Sequence, residues 1–304
     1  MVNLQAPAKV NLFLRILARE DSGFHQLETL FVRLEFADDL VMEAAGDTVV
    51  LEVDGPVFGP PEENLVHQAA RAFLDEAELR EGVRIRLEKR IPIQAGLGGG
   101  SSDAAATLRG MDRLFPGRLS GEGLVRLASR LGADVPFFLS PTPAALAWGR
   151  GDRFLPLSPP PPAPVLLAFP PVGVGTPEAY RLLARHREAH PRRRGGRCFR
   201  LSDFRDWSRI AAMAENDFHE VVLPAFPPLE ELFRTLVTTE PRLALLAGSG
   251  GALFAVYREE SEARQGLETV RDRFPGGRFL LTRTGGGPES GEGESRGPPR
   301  HAGG

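Results

Sequence analysis

A glycine- and serine-rich segment lies between a predicted strand at residues 83–89 and a predicted helix at residues 102–114. Glycine backbones adopt positive φ angles and approach a ligand closely, so that successive N–H groups converge on an anion. The N-terminus of the following helix adds positive potential. The pattern therefore predicts a phosphate-binding loop made of Pro92, Ile93, Gln94, Ala95, Gly96, Leu97, Gly98, Gly99, Gly100, Ser101 and Ser102.

The composition of this loop separates it from two common phosphate-binding motifs. A Walker A loop needs a lysine after G-x-x-x-x-G, and this segment contains none. A dinucleotide-binding fingerprint also fails, because the glycine spacing differs and no acidic residue ends a following strand. The alternative of a flexible loop without a ligand is disfavoured by four glycines and two serines directly before a helix.

Two charged residues far from this loop could complete a catalytic site. Lys9 lies in a predicted strand, and Asp134 follows the end of a predicted helix among apolar residues. Taken alone, Asp134 is more typical of a helix-turn cap than of a functional acid. Together with the loop, a Lys/Asp pair for phosphoryl transfer is the better interpretation. Asp134 would accept the proton of the attacking hydroxyl, and Lys9 would keep Asp134 ionised and stabilise charge on the transferred group.

Lysine is rare in this chain. Lys9 and Lys89 are the only lysines among 37 basic residues, and the other 35 are arginine. A compact ammonium on a flexible stem is not equivalent to a guanidinium. Either the two lysines are needed as lysines, or they remain by drift.

The overall composition excludes several classes of protein. With 42% hydrophobic and 25% charged residues, the chain is ordinary for a soluble globular protein and not wholly disordered. A net charge of −3 gives no general attraction for nucleic acid or an anionic membrane. The one cysteine, Cys198, can form neither an internal disulfide nor a Cys-rich zinc site. No direct metal ligands are predicted, because His186 and His190 lack a third ligand.

No signal for membrane insertion or secretion is present. The apolar runs fall short of the roughly 18 residues of a membrane helix, and the N-terminal residues lack a signal-peptide core. We therefore expect a cytoplasmic protein.

The order of predicted elements indicates an α+β chain with two domains. Strand patterns occur at residues 10–17, 28–36, 48–53, 83–89, 165–169, 252–257 and 278–282 and near Leu243. Helical patterns occur at residues 64–79, 102–114, 122–131, 177–190, 206–222, 229–237 and 261–274. The proline-rich run at 158–164 marks a boundary, which predicts domains at residues 1–157 and 164–284. The glycine-rich tail, residues 285–304, is predicted to be disordered.

Three motifs in combination resemble the GHMP kinase superfamily. They are P-A-K-V-N-L at residues 7–12, G-L-G-G-G-S-S-D-A-A at 96–105 and L-G-A-D-V-P at 131–136. The resemblance covers about residues 4–282. It implies a ribosomal-protein-S5-like N-terminal domain with a left-handed βαβ unit and a ferredoxin-like C-terminal domain. It also implies a kinase with ATP as phosphate donor, Mg²⁺ bridging the phosphates, and Lys9 and Asp134 as the catalytic pair.

A fourth motif, G-F-H-Q-L-E-T at residues 23–29, resembles a sequence element that occurs in one branch of this superfamily. That branch phosphorylates the 2-hydroxyl of a methylerythritol linked to cytidine diphosphate, in non-mevalonate isoprenoid precursor biosynthesis. The resemblance implies that His25 reads the cytosine edge and that Phe24 and Tyr180 stack on the base. The adenine-side residues it implies are Asn64, Leu65 and Lys89. The acceptor-side residues it implies are Asn11, Phe24, His25, Thr176, Tyr180, Gly248, Ser249 and Gly250.

Two alternatives remain at this stage. Another small-molecule GHMP kinase, acting on homoserine or mevalonate, is disfavoured by residues 23–25 and by Tyr180. A catalytically silent nucleotide-binding regulator is disfavoured by the presence of both Lys9 and Asp134. We expect a small-molecule substrate and no nucleic acid, membrane or obligate protein partner.

Overall fold

The computed structural model describes residues 1–56, 59–170, 173–190 and 198–285. The predicted disordered tail lies outside the described residues, except for Gly285. Within the described ranges, no helix is both long enough and apolar enough to cross a membrane.

The N-terminal half is built on a six-stranded sheet in which two long strands pair along their whole length. Strands β3, β4, β2, β5 and β6 follow one another across the sheet, and β1 pairs with β2. All pairs are antiparallel except β3 and β4, which are parallel and are connected through helix α1, as a βαβ unit requires. The strands are β1 (Val2–Arg19), β2 (His25–Ala44), β3 (Val49–Asp54), β4 (Val83–Glu88), β5 (Ala144–Gly149) and β6 (Arg153–Leu157).

Four helices and a short 3₁₀ turn, Pro61–Glu63, accompany this sheet. The first turn of α2 emerges directly from the predicted phosphate loop, and Ala104, Ala105 and Ala106 are fully buried on this helix. Small side chains allow a helix to approach its neighbours closely, which brings the loop near the β1–β2 pair. The helices are α1 (Leu65–Glu76), α2 (Gly99–Leu114), α3 (Gly121–Leu131) and α4 (Val135–Leu139).

The C-terminal half contains a four-stranded antiparallel sheet in the order β10-β7-β9-β8. Numbered from the first strand of this half, the order is 4-1-3-2, with helices after the first and third strands, which confirms the ferredoxin-like prediction. The strands are β7 (Pro164–Phe169), β8 (Leu243–Ala247), β9 (Ala252–Val256) and β10 (Arg278–Arg283). The helices are α5 (Thr176–Ala189), α6 (Trp207–Met213), α7 (His219–Ala225), α8 (Pro227–Thr238) and α9 (Glu260–Arg273), with a 3₁₀ turn at Leu201–Arg205.

The two halves share one hydrophobic core across the proline-rich link. Val10 and Leu12 of β1 belong to the same buried cluster as Val165 and Leu167 of β7 and Phe254 of β9. All five side chains have no exposed surface. The chain therefore changes sheets at residues 158–163, but its apolar packing continues from one sheet to the other.

Some elements differ from the sequence prediction. The first two strands are about twice as long as predicted. Their pairing is irregular between Pro7 and Lys9 and between Asn11 and Phe13, and each irregularity interrupts the alternation of apolar and polar residues from which a strand is recognised. Helix α2 begins at Gly99 instead of residue 102, so its first turn lies inside the glycine segment. Helix α4 was not predicted, since five apolar residues are too few to show a helical period.

Two glycine segments from opposite halves of the chain meet backbone to backbone. A Cβ added to Gly251 would collide with the carbonyl oxygen of Gln94, and one added to Gly96 would collide with that of Ala247. Gly96 also has a φ of 77°, a conformation in which glycine is preferred. Both positions therefore require glycine for the halves to close.

We expect the substitution Gly251→Ala to lower the free energy of unfolding by about 1–3 kcal/mol, because an added methyl group has no room against backbone. Urea denaturation measures this effect. Gly121→Ala is the matched control, since no atom lies within 4 Å of its added Cβ. Equal denaturation midpoints for both variants would contradict the proposed close contact.

A second prediction concerns His219, the first residue of α7. Its Nε2 accepts a hydrogen bond from the Leu246 N–H at 2.7 Å, and burial lowers its pKa to about 4. The unfolded chain binds a proton near the ordinary pKa of 6.5, so protonation favours unfolding as the pH falls from about 6.5 to about 4. We expect a loss of up to about 2–3 kcal/mol of stability over this range.

The glutamine variant His219→Gln keeps a hydrogen-bond acceptor but does not titrate. Urea unfolding between about pH 7 and about pH 4.5 should therefore lose part of its pH dependence in this variant. His67→Gln on α1 serves as the control and should retain the wild-type pH dependence. The assignment is wrong if His219→Gln and wild type lose the same stability in acid.

Candidate functional site

Lys9 and Asp134, far apart in sequence, form an ion pair at the centre of the site. Lys9 Nζ lies 3.6 Å from Asp134 Oδ2 and donates a hydrogen bond to Asn11 Oδ1 at 2.8 Å. Asn11 Nδ2 in turn donates to Thr29 Oγ1 at 2.8 Å. The lysine side chain is 6% exposed and that of Asp134 is 29% exposed, so the carboxylate faces the opening. The predicted pair is therefore present in space, and its ammonium is fixed by a buried polar chain.

The position of Asp134 distinguishes the two interpretations of this residue. It precedes helix α4, but its side chain makes no capping hydrogen bond. A helix cap would accept a bond from a backbone N–H two or three residues later. The cap interpretation is therefore wrong for this carboxylate, which turns toward Lys9.

The glycine-rich segment lines a cavity of about 570 Å³ beside this pair. Gly98 has a φ of 73°, and a Cβ there would lie 2.9 Å from the Phe138 ring and 3.2 Å from Lys9 Cε. The Lys9 N–H donates to the Leu97 carbonyl at 2.9 Å, which joins β1 to the loop. The predicted residues that line the cavity are Asn64, Leu65, Lys89, Pro92, Ile93, Gln94, Ala95, Gly96, Leu97, Gly98, Gly99, Gly100 and Ser101.

The structure separates the two serines at the end of this loop. Ser101 lines the cavity, whereas Ser102 is fully buried and is not part of its lining. The hydroxyl of Ser102 has no hydrogen-bond partner within the described ranges. The sequence prediction grouped both serines as nucleotide ligands, but only Ser101 is placed to contact one directly.

Lys89 lines the same cavity but has its ammonium group between two buried carboxylates. Its Nζ contacts Asp38 and lies 2.7 Å from Asp103 Oδ2. Burial lowers the pKa of Lys89, but the charges of Asp103 and Asp38 outweigh this effect and raise it. Asp38 Oδ1 also accepts hydrogen bonds from the N–H groups of Arg90 and Ile91. Lys89 thus connects β2 with the first turn of α2 and holds the start of the loop.

A second, larger cleft of about 740 Å³ adjoins the cavity lined by the glycine-rich segment, and Thr176 lines both. Phe24 and His25 of the motif at residues 23–29 line this cleft together with Tyr180, which lies more than 150 residues later in the chain. The rings of His25 and Tyr180 stack with centroids 4.4 Å apart, whereas Phe24 is 57% exposed. Arg150 lies over the Phe24 ring at 4.2 Å.

The side chains of His25 and Tyr180 in this cleft are both uncharged near pH 7. Burial, with the charges of Arg19 and Arg187, lowers the pKa of His25, so the imidazole is neutral near pH 7. Burial, with the negative charge of Asp134, raises the pKa of Tyr180 to about 12. Gly132 and Ala133, which directly precede Asp134, line the same cleft, so the cleft extends to the Lys9–Asp134 pair.

The second glycine loop, residues 247–251, faces the phosphate loop instead of the larger cleft. A Cβ on Gly248 would lie 3.1 Å from the Gly96 carbonyl oxygen, and neither Gly248 nor Gly250 lines the cleft. Ser249 Oγ and Thr176 Oγ1 are 2.9 Å apart. Asn216 Nδ2 fixes the loop by donating to the carbonyls of Leu246 and Gly248. None of the three predicted acceptor residues in this loop lines the cleft, but Ser249 is hydrogen-bonded to Thr176, which does.

Several residues of the site were not predicted from the sequence. Thr29 ends the G-F-H-Q-L-E-T motif, and Asp103 follows the two serines of the phosphate loop, so both lay inside recognised motifs. Asp38 and Arg150 lie in none of the motifs that pointed to the site. Their roles depend on side chains that are distant in sequence.

Comparison with known proteins agrees with this geometry. The family "GHMP kinases N terminal domain" matches residues 64–141, and "GHMP kinases C terminal" matches residues 198–276. The matched regions include the phosphate loop, Asp134 and the second glycine loop.

Relatives of known name cover most of the chain. A 4-diphosphocytidyl-2-C-methyl-D-erythritol kinase of Salinibacter ruber is 37% identical over 273 residues, which is 88% of this chain and 94% of the relative. A crystal structure of 4-(cytidine 5'-diphospho)-2C-methyl-D-erythritol kinase superposes with a TM-score of 0.77 at 37% identity, covering 94% of this chain and all of the other.

A more distant structure shares only the fold. The homoserine kinase of Cytophaga hutchinsonii has a TM-score of 0.68 at 17% identity, covering 93% of this chain and 94% of its own. The closer likeness in sequence is thus to the cytidine-linked branch. The chain belongs to the 4-diphosphocytidyl-2-C-methyl-D-erythritol kinase family of GHMP kinases.

Proposed function

We propose that the protein transfers the γ-phosphoryl group of ATP to the 2-hydroxyl of 4-diphosphocytidyl-2-C-methyl-D-erythritol, a step of non-mevalonate isoprenoid precursor biosynthesis. The observation that carries this proposal is the Lys9–Asp134 pair beside two adjoining cavities. One cavity is lined by the glycine loop and suits a nucleoside triphosphate. The other has aromatic walls and suits a nucleobase attached to the acceptor.

The transfer step follows from the placement of the charged groups. Asp134 takes the proton of the acceptor hydroxyl as its oxygen attacks the γ-phosphorus, and the bond to the bridging oxygen breaks to release ADP. Lys9 keeps the carboxylate ionised and balances negative charge on the transferred group. Asn11 accepts a hydrogen bond from the ammonium and so orients it toward Asp134. Most of the catalysis comes from positioning and charge stabilisation.

Residues 92–101 hold the phosphates of ATP through backbone N–H groups, and Asn64, Leu65 and Lys89 form the adenine side of the cavity. Mg²⁺, when bound, neutralises charge on the phosphates. Ser101 fits this ion because its side chain faces the cavity, whereas the hydroxyl of Ser102 is enclosed.

The acceptor is held by its cytidine group. A neutral His25 offers one donor and one acceptor, which suits the edge of cytosine. Phe24 and Tyr180 line the same cleft as His25, so the base stacks on these two rings while its edge meets His25. Homoserine and mevalonate have no aromatic ring, and a cleft with three aromatic walls gives them no matching contact.

Replacing Asp134 tests the proposed base. We expect Asp134→Asn to retain the fold and ATP affinity and to lower kcat by about 10²–10⁴-fold, the range for loss of a general base. Steady-state assays of ADP release with the cytidine-linked acceptor measure this loss. Asp75→Asn, on the exposed surface of α1, is the matched control and should retain activity. A loss below about tenfold would mean that Asp134 does not act as the base.

Replacing the aromatic residues tests the acceptor assignment. Stacking contributes about 1–3 kcal/mol per base, so Tyr180→Ala should reduce kcat/KM for the acceptor by roughly 5–150-fold while KM for ATP stays nearly constant. His25→Ala should also weaken the discrimination between cytidine- and uridine-linked acceptors, because it removes a paired hydrogen-bonding edge. If these variants weaken ATP binding and leave base preference unchanged, the aromatic cleft belongs to the donor nucleotide.

A further inference from the structure

Arg33 of β2 is a fully buried arginine with no carboxylate beside it in the described part of the chain. Its Nη2 donates to the carbonyl oxygens of Phe137 at 2.6 Å, Phe138 at 3.1 Å and Ser140 at 2.7 Å. Its Nε and Nη1 have no hydrogen-bond partner among the described residues. Burying a cation in this way is costly unless its contacts compensate, so the retention of Arg33 needs a reason.

All three carbonyls lie at the C-terminal end of α4, the helix that begins after Asp134. A helix of five residues has few internal hydrogen bonds and cannot hold its own orientation. The unpaired carbonyls at its C-terminus attract a cation, and a planar guanidinium can reach several of them at once. Arg33 therefore anchors one end of α4, while Asp134 stands at the other.

The same strand pair carries the partner of Asp134. Lys9 of β1 lies opposite Arg33 in the antiparallel register. Two phenylalanine rings lie between these cations. Lys9 Nζ is 5.0 Å from the centroid of the Phe31 ring, and the Arg33 guanidinium is 5.0 Å from the centroid of the Phe137 ring. The centroids of the two rings are 5.0 Å apart. Lys9 is thus part of the β1–β2 pair itself, and Asp134 is connected to the same place on this pair through α4 and Arg33.

We propose that Arg33 is a positioning residue that sets the place of Asp134 relative to Lys9 through helix α4. This inference rests on the proposed function, because it assigns a role in the same transfer step. Without Arg33 the helix would keep its apolar contacts and the hydrogen bond from Arg109 Nη1 to the Phe138 carbonyl, but it would lose the bonds to Phe137 and Ser140 that Arg33 donates. A displacement of about 1 Å at a reacting group can cost roughly 100-fold in rate.

The conservative variant Arg33→Lys retains a positive charge, but its side chain is one bond shorter than the path to Nη2, so its ammonium falls short of the position from which Nη2 contacts all three carbonyls. We expect kcat to fall by about 10–100-fold, while KM for ATP and for the acceptor changes by less than about twofold. Arg118→Lys, at an exposed turn after α2, is the matched control and should leave kcat unchanged. Thermal melting of each variant establishes that the protein is folded at the assay temperature.

A double variant separates positioning from general destabilisation. If Arg33 acts through Asp134, adding Arg33→Lys to Asp134→Asn should lower kcat by less than about twofold, because the group it positions no longer accepts the proton. The proposal is overturned if the two losses multiply, or if Arg33→Lys retains kcat or changes mainly KM. If Arg33→Lys does not fold, Arg33→Gln is measured by the same criteria.

Failure of the inference and failure of the proposed function give different results. Absence of ADP release by the wild-type protein with the cytidine-linked acceptor would refute the function itself. Normal wild-type turnover together with an unaffected Arg33→Lys would refute only the role of Arg33.

Discussion

The antiparallel register of β1 and β2 is the constraint on which the site depends. It places Lys9 opposite Arg33 and Asn11 opposite Phe31. The strand pairing shifts register just before Lys9, and the Lys9 N–H donates a hydrogen bond to the carbonyl of Leu97 in the phosphate loop. Thr29, on the same strand pair, completes the chain that holds the ammonium. Because side chains alternate along a strand, a slip of one residue would move each of these groups to the opposite face.

The phosphate loop is fixed from two directions. On one side, Asp38 accepts two backbone N–H bonds and holds Lys89, which also contacts Asp103 at the start of α2. On the other side, the second glycine loop packs against it so closely that no side chain fits between. A loop that is rigid before its ligand binds loses less entropy on binding, which is what the proposed role in holding phosphates requires. The shared core beneath both sheets makes this contact part of the fold.

The site also contains buried charges that a core built only for stability would not need. Lys9, Arg33 and Lys89 are all largely enclosed, and each is compensated differently: by an amide and a carboxylate, by helix carbonyls, and by two carboxylates. Burial, with the nearby charge of Arg109, lowers the pKa of Arg33 to about 9, because a charged guanidinium is less favourable when it is enclosed. Such groups are retained where orientation matters more than the free energy they cost.

The sequence by itself determined the α+β class and most of the helices and strands, and it predicted the phosphate loop and the Lys9–Asp134 pair, because glycine spacing, hydrophobic periods and lone charged residues are local signals. It favoured the Lys9–Asp134 pair over a helix cap only through the combination of motifs, and it grouped Ser102 with Ser101 and the second glycine loop with the acceptor. Only the tertiary structure shows that Asp134 makes no capping hydrogen bond, that Ser102 is enclosed and that Gly248 packs against Gly96, since these features depend on contacts between distant segments. It also revealed Arg33 and Asp38, whose partners lie more than 50 residues away in the chain. Contacts between distant segments leave no periodic trace in the sequence, so their roles emerge only when the sheets and helices are packed.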